Sequence, residues 1–302
     1  MDVLLIGPAF LDVVAAPVQR LPQPGEELHA AAIELAPGGF AIAAAALSRL
    51  GIRAALAAPV GDDGPGRYLL SLLQAEGVEL IRGKAQRTPA TIALNRAGDR
   101  AFLTAGFPAD DALREVGLAA LREYPACETV HLSCRGPFAE AVALEARAQG
   151  RFVSMDCGTD PQWLQSEALR RTLQFADIYL PNAREASLVT GAPDPRAAAS
   201  ALLRLVPSAI VKLGADGVLR ADPGGVRHHP TAAKEAIDTT GAGDVFDAGY
   251  LAGRVYGFGE PASIRLGQYA AGLSIGALGG TAAAPTLAQA RRDLPDLAWP
   301  NT

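Results

Sequence analysis

Asp238-Thr239-Thr240-Gly241-Ala242-Gly243-Asp244 runs directly into Val245-Phe246-Asp247-Ala248-Gly249-Tyr250-Leu251-Ala252-Gly253, and the junction between the two decides how the chain is read. The second stretch is apolar enough to be a buried helix, so the first places a tight glycine turn and an acid at a helix start. The first amides of a helix lack an intrahelical acceptor, and the aligned peptide dipoles add partial positive charge there. Gly241 and Gly243 let the main chain approach an anion with no Cβ in the way. Asp244 stands beside that site and so cannot be the anion bound in it. An acid next to an anion hole suits a base that takes a proton from a hydroxyl attacking a phosphoryl group. A plain helix cap explains Gly-Ala-Gly taken alone, but the seven residues in this order are far more specific.

Upstream, helices and short apolar strands alternate. Val3 to Ile6 reads as a buried strand closed by Gly7, and Gly38-Gly39 opens an alanine-rich helix to about Leu50 that stops at Gly51. Ala54 to Val60 is the next strand, and Gly61-Asp62-Asp63-Gly64-Pro65-Gly66 turns into a helix from about Arg67 to Glu76. Further strands read at Thr129–Ser133, Phe152–Met155, Ile178–Leu180 and Ala209–Leu213, and Ala270 to Leu278 reads as a helix ending in Gly279-Gly280. This rhythm predicts a mostly parallel sheet with helices on both faces. Thr91–Asn95 and Arg100–Thr104 flank Ala97-Gly98-Asp99 as a hairpin, and a second hairpin lies near Val218–Ala221 and Val226–His229. The extended segments near 12–36, with Leu21-Pro22-Gln23-Pro24-Gly25-Glu26 among them, and near 88–106 break the rhythm. We expect them to project as a small β lid on a single domain spanning 1–302, because phosphoryl transfer has to exclude water. Extra edge strands on the main sheet are the alternative.

Apolar residues at 49% against 20% charged give enough material for a large core and argue against disorder. A net charge of -5 without a Lys/Arg cluster argues against nucleic acid as a partner. Cys127, Cys134 and Cys157 lack metal-ligand spacing and read as free thiols in a reducing compartment. His29, His131, His228 and His229 form no zinc or triad pattern. The N-terminal segment has no basic leader, and no apolar run approaches the ~20 residues of a membrane span. The expectation is a cytoplasmic protein without a membrane partner.

The string from Asp238 to Asp244 resembles the C-terminal signature of the ribokinase-like (PfkB) carbohydrate kinases. Gly38-Gly39-Phe40-Ala41-Ile42-Ala43 through Leu50-Gly51 resembles their N-terminal signature, and the resemblance extends over essentially the whole chain. It implies an α/β, ribokinase-like three-layer sandwich: a mostly parallel central sheet, helices on both faces and a small β lid. It also implies transfer of the γ-phosphoryl group of ATP to a hydroxyl of a sugar or sugar-like molecule, with Asp244 as base and Gly241, Ala242 and Gly243 as the anion hole. Asp12, in Gly7-Pro8-Ala9-Phe10-Leu11-Asp12, stands past the carboxyl end of the first strand, where open α/β sheets gather ligands. Family members carry an acid here that holds substrate hydroxyls. On this reading Gly38 and Gly39 join it, and Phe10 and Phe40 offer an apolar face, although core packing also accounts for either ring.

Asn182 and Glu185, in Leu180-Pro181-Asn182-Ala183-Arg184-Glu185, have the spacing of a capping box. The resemblance gives them a second task, organising Mg²⁺ and its waters. Val211-Lys212-Leu213-Gly214-Ala215-Asp216-Gly217 resembles the family's strand and glycine turn beneath the nucleotide. That assigns Lys212, Gly214 and Gly217 to ATP, with Gly279 closing an adenine wall; an exposed lysine at a strand end is the other reading of Lys212. Carbonyls near Asp238, Thr240 and Gly280 hold a monovalent cation, K⁺, in several relatives.

Two departures bear on the acceptor. Ile42 (Ala43 in a shifted alignment) stands where the family usually has an asparagine. In Asp156-Cys157-Gly158-Thr159-Asp160, Gly158 and Asp160 replace the asparagine and arginine of the family's Asp-x-Asn-x-Arg. Without that arginine to clamp an anion, sugar acids and sugar phosphates are disfavoured. A nucleoside kinase, with Phe10 and Phe40 on the base and Asp12 on the ribose, stays open. So does a non-catalytic regulatory protein of the same fold, against which the intact Gly241-Ala242-Gly243-Asp244 speaks. A dinucleotide dehydrogenase is poorly supported, since no G-x-G-x-x-G follows the first strand. Unpaired lid-strand edges point to pairing across a homodimer.

Overall fold

Strand β1 (Val3–Ile6) is buried on both faces, and the main sheet grows outward from it in both directions. The computed structural model describes residues 1–300 apart from 17, 19, 21, 97, 98, 159, 233 and 234, with the backbone alone at 95, 96, 99 and 100. Ala97 and Gly98 of the expected hairpin, Leu21 and Thr159 therefore lie outside the described residues. On one side of β1 come β4 (Ala54–Pro59) and β5 (Glu79–Gly83); on the other come β8 (Thr129–Ser133), β9 (Phe152–Asp156), β10 (Ile178–Tyr179) and β11 (Ala209–Lys212). All of these neighbours are parallel. Only β12 (Val218–Asp222) and β13 (Gly225–His229) turn back, as an antiparallel hairpin.

Alternate side chains of β1 enter two separate cores. Val3 and Leu5 belong to the core that also takes side chains from α1 (Phe40–Arg49), α2 (Gly64–Ala75), α9 (Ala242–Val255), α10 (Glu260–Ser274) and α11 (Leu287–Asp293). Leu4 and Ile6 belong to the core that also takes side chains from α3 (Asp110–Glu123), α4 (Phe138–Ala148), α5 (Pro161–Leu164), α6 (Glu167–Leu173), α7 (Ala183–Thr190) and α8 (Pro195–Leu202). A strand covered on both sides must be apolar throughout, which is why Val-Leu-Leu-Ile shows no alternation. Helix α2 starts three residues earlier than expected. Asp63 caps it by accepting from the Gly66 amide at 2.9 Å, and a proline occupies its first turn. Helix α10 runs from Glu260 to Ser274, so the expected helix over 270–278 covers only its last turn and the loop beyond. No helix among the described residues is long and apolar enough to cross a membrane.

The lid is a separate sheet rather than an extension of the main one. Strands β2 (Ala9–Ala16), β3 (Ala32–Gly39), β6 (Ala90–Arg96) and β7 (Asp99–Ala105) lie in the order β3-β2-β6-β7, parallel between β2 and β6 and antiparallel elsewhere. Register places Ala36, Asp12, Thr91 and Thr104 in one row, facing inward. Leu35, Val13, Ile92 and Leu103 form the adjacent row on the opposite face.

Candidate active site

The carboxyl ends of the parallel strands, the start of α9 and the inner face of the lid surround a cavity of about 730 Å³, within the range of small-molecule sites. At its waist lie Ala242, Gly243 and Asp244. Gly241 is the N-cap of α9 at φ 70°, a conformation that a residue with a Cβ adopts only under strain. A Cβ there would also fall 2.6 Å from Ile42 Cδ1. Ile42 therefore supports the turn from beneath; it is buried and does not line the cavity. The amide of Gly243 has no hydrogen-bond partner among the described residues, whereas that of Ala242 donates to the Thr239 carbonyl at 3.3 Å. Of the expected anion hole, Gly243 is thus the part open to a ligand, and Gly241 sits behind it. Burial pushes the Asp244 carboxyl up to about 7; the Asp156 and Asp12 carboxylates add to the rise, and Lys212 opposes it.

Lys212 lies beneath this turn and is not an exposed strand end. Its Nζ donates to Asp247 Oδ1 and Oδ2 at 3.1 and 3.0 Å and to Asp156 Oδ2 at 3.2 Å. A Cβ on Gly243 would come within 3.3 Å of the same Nζ. Burial alone would lower the lysine's pKa, but Asp156, Asp247 and Glu185 together raise it, so the ammonium stays charged. Burial also pushes the Asp247 carboxyl well above the usual range, against the pull of Lys212.

Asn182 and Glu185 do form a capping box. The Glu185 amide donates to Asn182 Oδ1 and the Asn182 amide to Glu185 Oε2, both at 2.9 Å. Both residues also line the cavity, and Asn182 is bridged in parallel to Lys212. The adjoining wall is made of small or apolar residues: Gly214, Ala215, Gly217 and Val218 from the strand end and turn, Ala271, Gly272 and Ile275 from α10 and its end. Gly279 is not part of that wall. Its amide donates to Asp238 Oδ2 and that of Thr240 to Asp238 Oδ1, both at 2.9 Å, so Asp238 braces the two loops.

At the other end, Phe10, Gly39 and Phe40 line the cavity, while Asp12 and Gly38 stand just behind that wall. A Cβ on Gly38 would lie 2.2 Å from Asp12 Oδ1, so only glycine leaves room for this carboxylate. Burial pushes Asp12 up to about 7, with Thr91 hydrogen-bonding against the rise and Asp238 adding to it. Phe40 stacks on His131 at 5.0 Å between centroids and is 7% exposed, so its ring belongs largely to the core. Burial lowers His131 to about 4, which leaves it neutral.

Asp160 offers no cation at this end, but Arg135, just past β8, does, and it lines the cavity. So do Phe102, Phe107 and Asp156, none of which was singled out as a site residue. The available signal was position, because residues following a parallel strand's carboxyl end gather at the ligand site.

A model of the pfkB family of carbohydrate kinases matches residues 2–287. The chain belongs to this family. An uncharacterized sugar kinase of Archaeoglobus fulgidus is 31% identical over 233 residues, which cover 74% of this carbohydrate kinase and 92% of that protein. The ribokinase of Thermotoga maritima superposes with a TM-score of 0.82 at 24% identity, covering 98% of this chain and 99% of the other. The ribokinase of Arabidopsis thaliana, solved with ribose and ATP, has a TM-score of 0.77 at 22% identity, covering 96% and 97%. At that coverage and TM-score both share the overall fold of this chain.

Proposed function

We propose that this kinase transfers the γ-phosphoryl group of ATP to a hydroxyl of a sugar-like acceptor, with Asp244 as the base. The observation that carries this reading is the start of α9. There a carboxyl poised near pH 7 follows directly on a glycine amide that has no partner among the described residues, on one cavity wall. The acceptor oxygen bonds to the γ-phosphorus as the bond to the ADP oxygen breaks, and the hydroxyl proton passes to Asp244. Gly243 meets negative charge on the transferred group, and Lys212 fixes the turn from below. ATP lies along Gly214, Gly217 and the α10 wall, with the acceptor against Gly39 and Asp12 behind it. Most of the rate gain then comes from placement and electrostatics.

Asn182 and Glu185 would hold Mg²⁺ through its waters, and the ion would supply charge to the phosphate oxygens. Among the described residues no group of three or more His, Cys, Asp or Glu side chains could cage a metal, which fits an ion carried by phosphate and water. Carbonyls about Asp238, Thr240 and Gly280 would hold K⁺; the buried Thr240 hydroxyl there has no partner among the described residues. The test is ADP release from MgATP over a panel of sugars, polyols and nucleosides, in potassium and in sodium salts. We expect acceptor-dependent turnover, faster in potassium. ADP release that no acceptor stimulates would sink the reading.

The outer lid face is the place for a second copy of this chain. Ile33, Leu35, Ile92 and Leu103 are 66, 42, 44 and 70% exposed on that face, an apolar patch that a monomer would leave wet. Sedimentation at micromolar concentration should give a dimer, and Leu103→Glu with Ile92→Glu a monomer. Wild type that sediments only as a monomer rejects the interface.

A further inference from the structure

The acceptor end of the cavity is walled by aromatic rings more than by hydroxyl-binding groups. Phe10 and Phe107 stand where the chain crosses between the two sheets, 6.1 Å apart at 44°. Phe102 comes from the inner face of β7. The Arg135 guanidinium lies over the Phe107 ring, 4.3 Å from its centroid. Asp160 steadies Arg135 from 3.5 Å, and its other oxygen caps α5 by accepting from the amides of Gln162 and Trp163. The indole of Trp163 in turn donates to the Cys134 carbonyl at 2.7 Å, which fixes the loop that carries Arg135. Cation and ring thus form one platform.

Charge and polarity together decide what this platform takes. Arg135 already faces Asp160 and Lys212 faces Asp156 and Asp247, while Asp12 and Asp244 add negative charge as they ionise about pH 7. An anionic acceptor arm would therefore be repelled. A monosaccharide can lay only a small C–H face on an aromatic ring, and its edge hydroxyls pressed on a phenylalanine sleeve lose water without gaining a partner. A flat heterocycle loses little water there, and it stacks on phenylalanine and guanidinium alike.

We propose that the acceptor is a nucleoside, with Phe107 and Arg135 as the residues that determine this specificity. The inference rests on the phosphoryl-transfer reading above. The sugar lies between Gly39 and Asp244, and the heterocycle lies in the sleeve of Phe10, Phe102 and Phe107. A sugar hydroxyl oxygen takes the γ-phosphoryl group, ADP leaves, and the proton goes to Asp244.

ADP release from MgATP by the full chain, with adenosine, cytidine, ribose and fructose as acceptors, tests this. The better nucleoside should exceed both free sugars in kcat/KM by about 100-fold, as stacking on several rings predicts. Phe107→Ala should raise KM for that nucleoside about 10-fold and shrink its advantage over ribose by the same factor. Arg135→Gln should act in the same direction, so a folding defect in one variant does not decide the matter. Free ribose or fructose equalling the nucleosides overturns the proposal while leaving phosphoryl transfer intact. An equal loss for nucleoside and ribose in both variants does the same. No acceptor-dependent ADP release with any of the four, in wild type as in Asp244→Asn, removes the underlying reading and this one with it.

Discussion

Asp244→Asn is expected to lower kcat by about 10²–10⁴-fold, the contribution of a positioned base, and at pH 8 to raise the melting temperature by a few degrees. The two effects share one cause. Burial and the carboxylates of Asp156 and Asp12 raise this group from 3.8 to about 7. The folded protein therefore holds the proton more tightly than the unfolded chain, and stability falls as pH climbs from about 4 to about 7. Asparagine cannot ionise, so the variant escapes that loss, and its advantage should vanish toward pH 4. Catalysis has the opposite sign. On the proposed mechanism Asp244 has to be deprotonated to take the proton, so wild-type kcat/KM should rise with pH and level off above about 7. Activity within tenfold of wild type, or a melting difference indifferent to pH, would take Asp244 out of the role of base.

The fold was legible where burial leaves a local imprint. β1 and β4 are covered on both faces and read as unbroken apolar runs. β5, an edge strand of sequence Glu-Leu-Ile-Arg-Gly, has no residue fully buried, so nothing in its composition set it apart from the turn before it. The lid strands were legible as misfits, since extended segments without a following helix cannot belong to the parallel rhythm. The apolar character of their outer face was not legible. The row Leu35, Val13, Ile92 and Leu103 exists only once four strands from two distant segments are in register.

The site divides along the same line. Gly241 to Asp244 are contiguous, so turn, amide and acid could be read together from one string. Arg135 and Asp160 come from the ends of different strands, and neither sequence context announces the other. Reading Asp160 as standing in place of an arginine is misleading about the site, because Arg135 brings a cation in from the neighbouring strand. One non-local contact did leave a trace. Asp247 interrupts an apolar helix run, and a carboxyl there requires a partner once buried.

That partner gives the second large effect. Lys212→Met should cost about 3–5 kcal/mol of unfolding free energy, the loss typical of removing one partner from a buried pair. Asp247 is fully buried, and the methionine would leave it with Asp156 and no counter-charge. Without the ammonium the Asp247 carboxyl rises further above its unfolded value, so the deficit should be larger at pH 8 than at pH 5. Adding Asp247→Asn removes the stranded charge, and Asp156, with 16% of its side chain exposed, can still reach water. The double variant should therefore recover at least half of the lost stability in urea unfolding, measured as a double-mutant cycle. Activity should not return with it, because Gly243 rests against the Lys212 side chain and methionine carries no charge beneath the turn. Additive stability losses in the cycle would mean that Lys212 and Asp247 act independently. Full activity in the double variant would mean that the turn at Gly243 needs no cation below it.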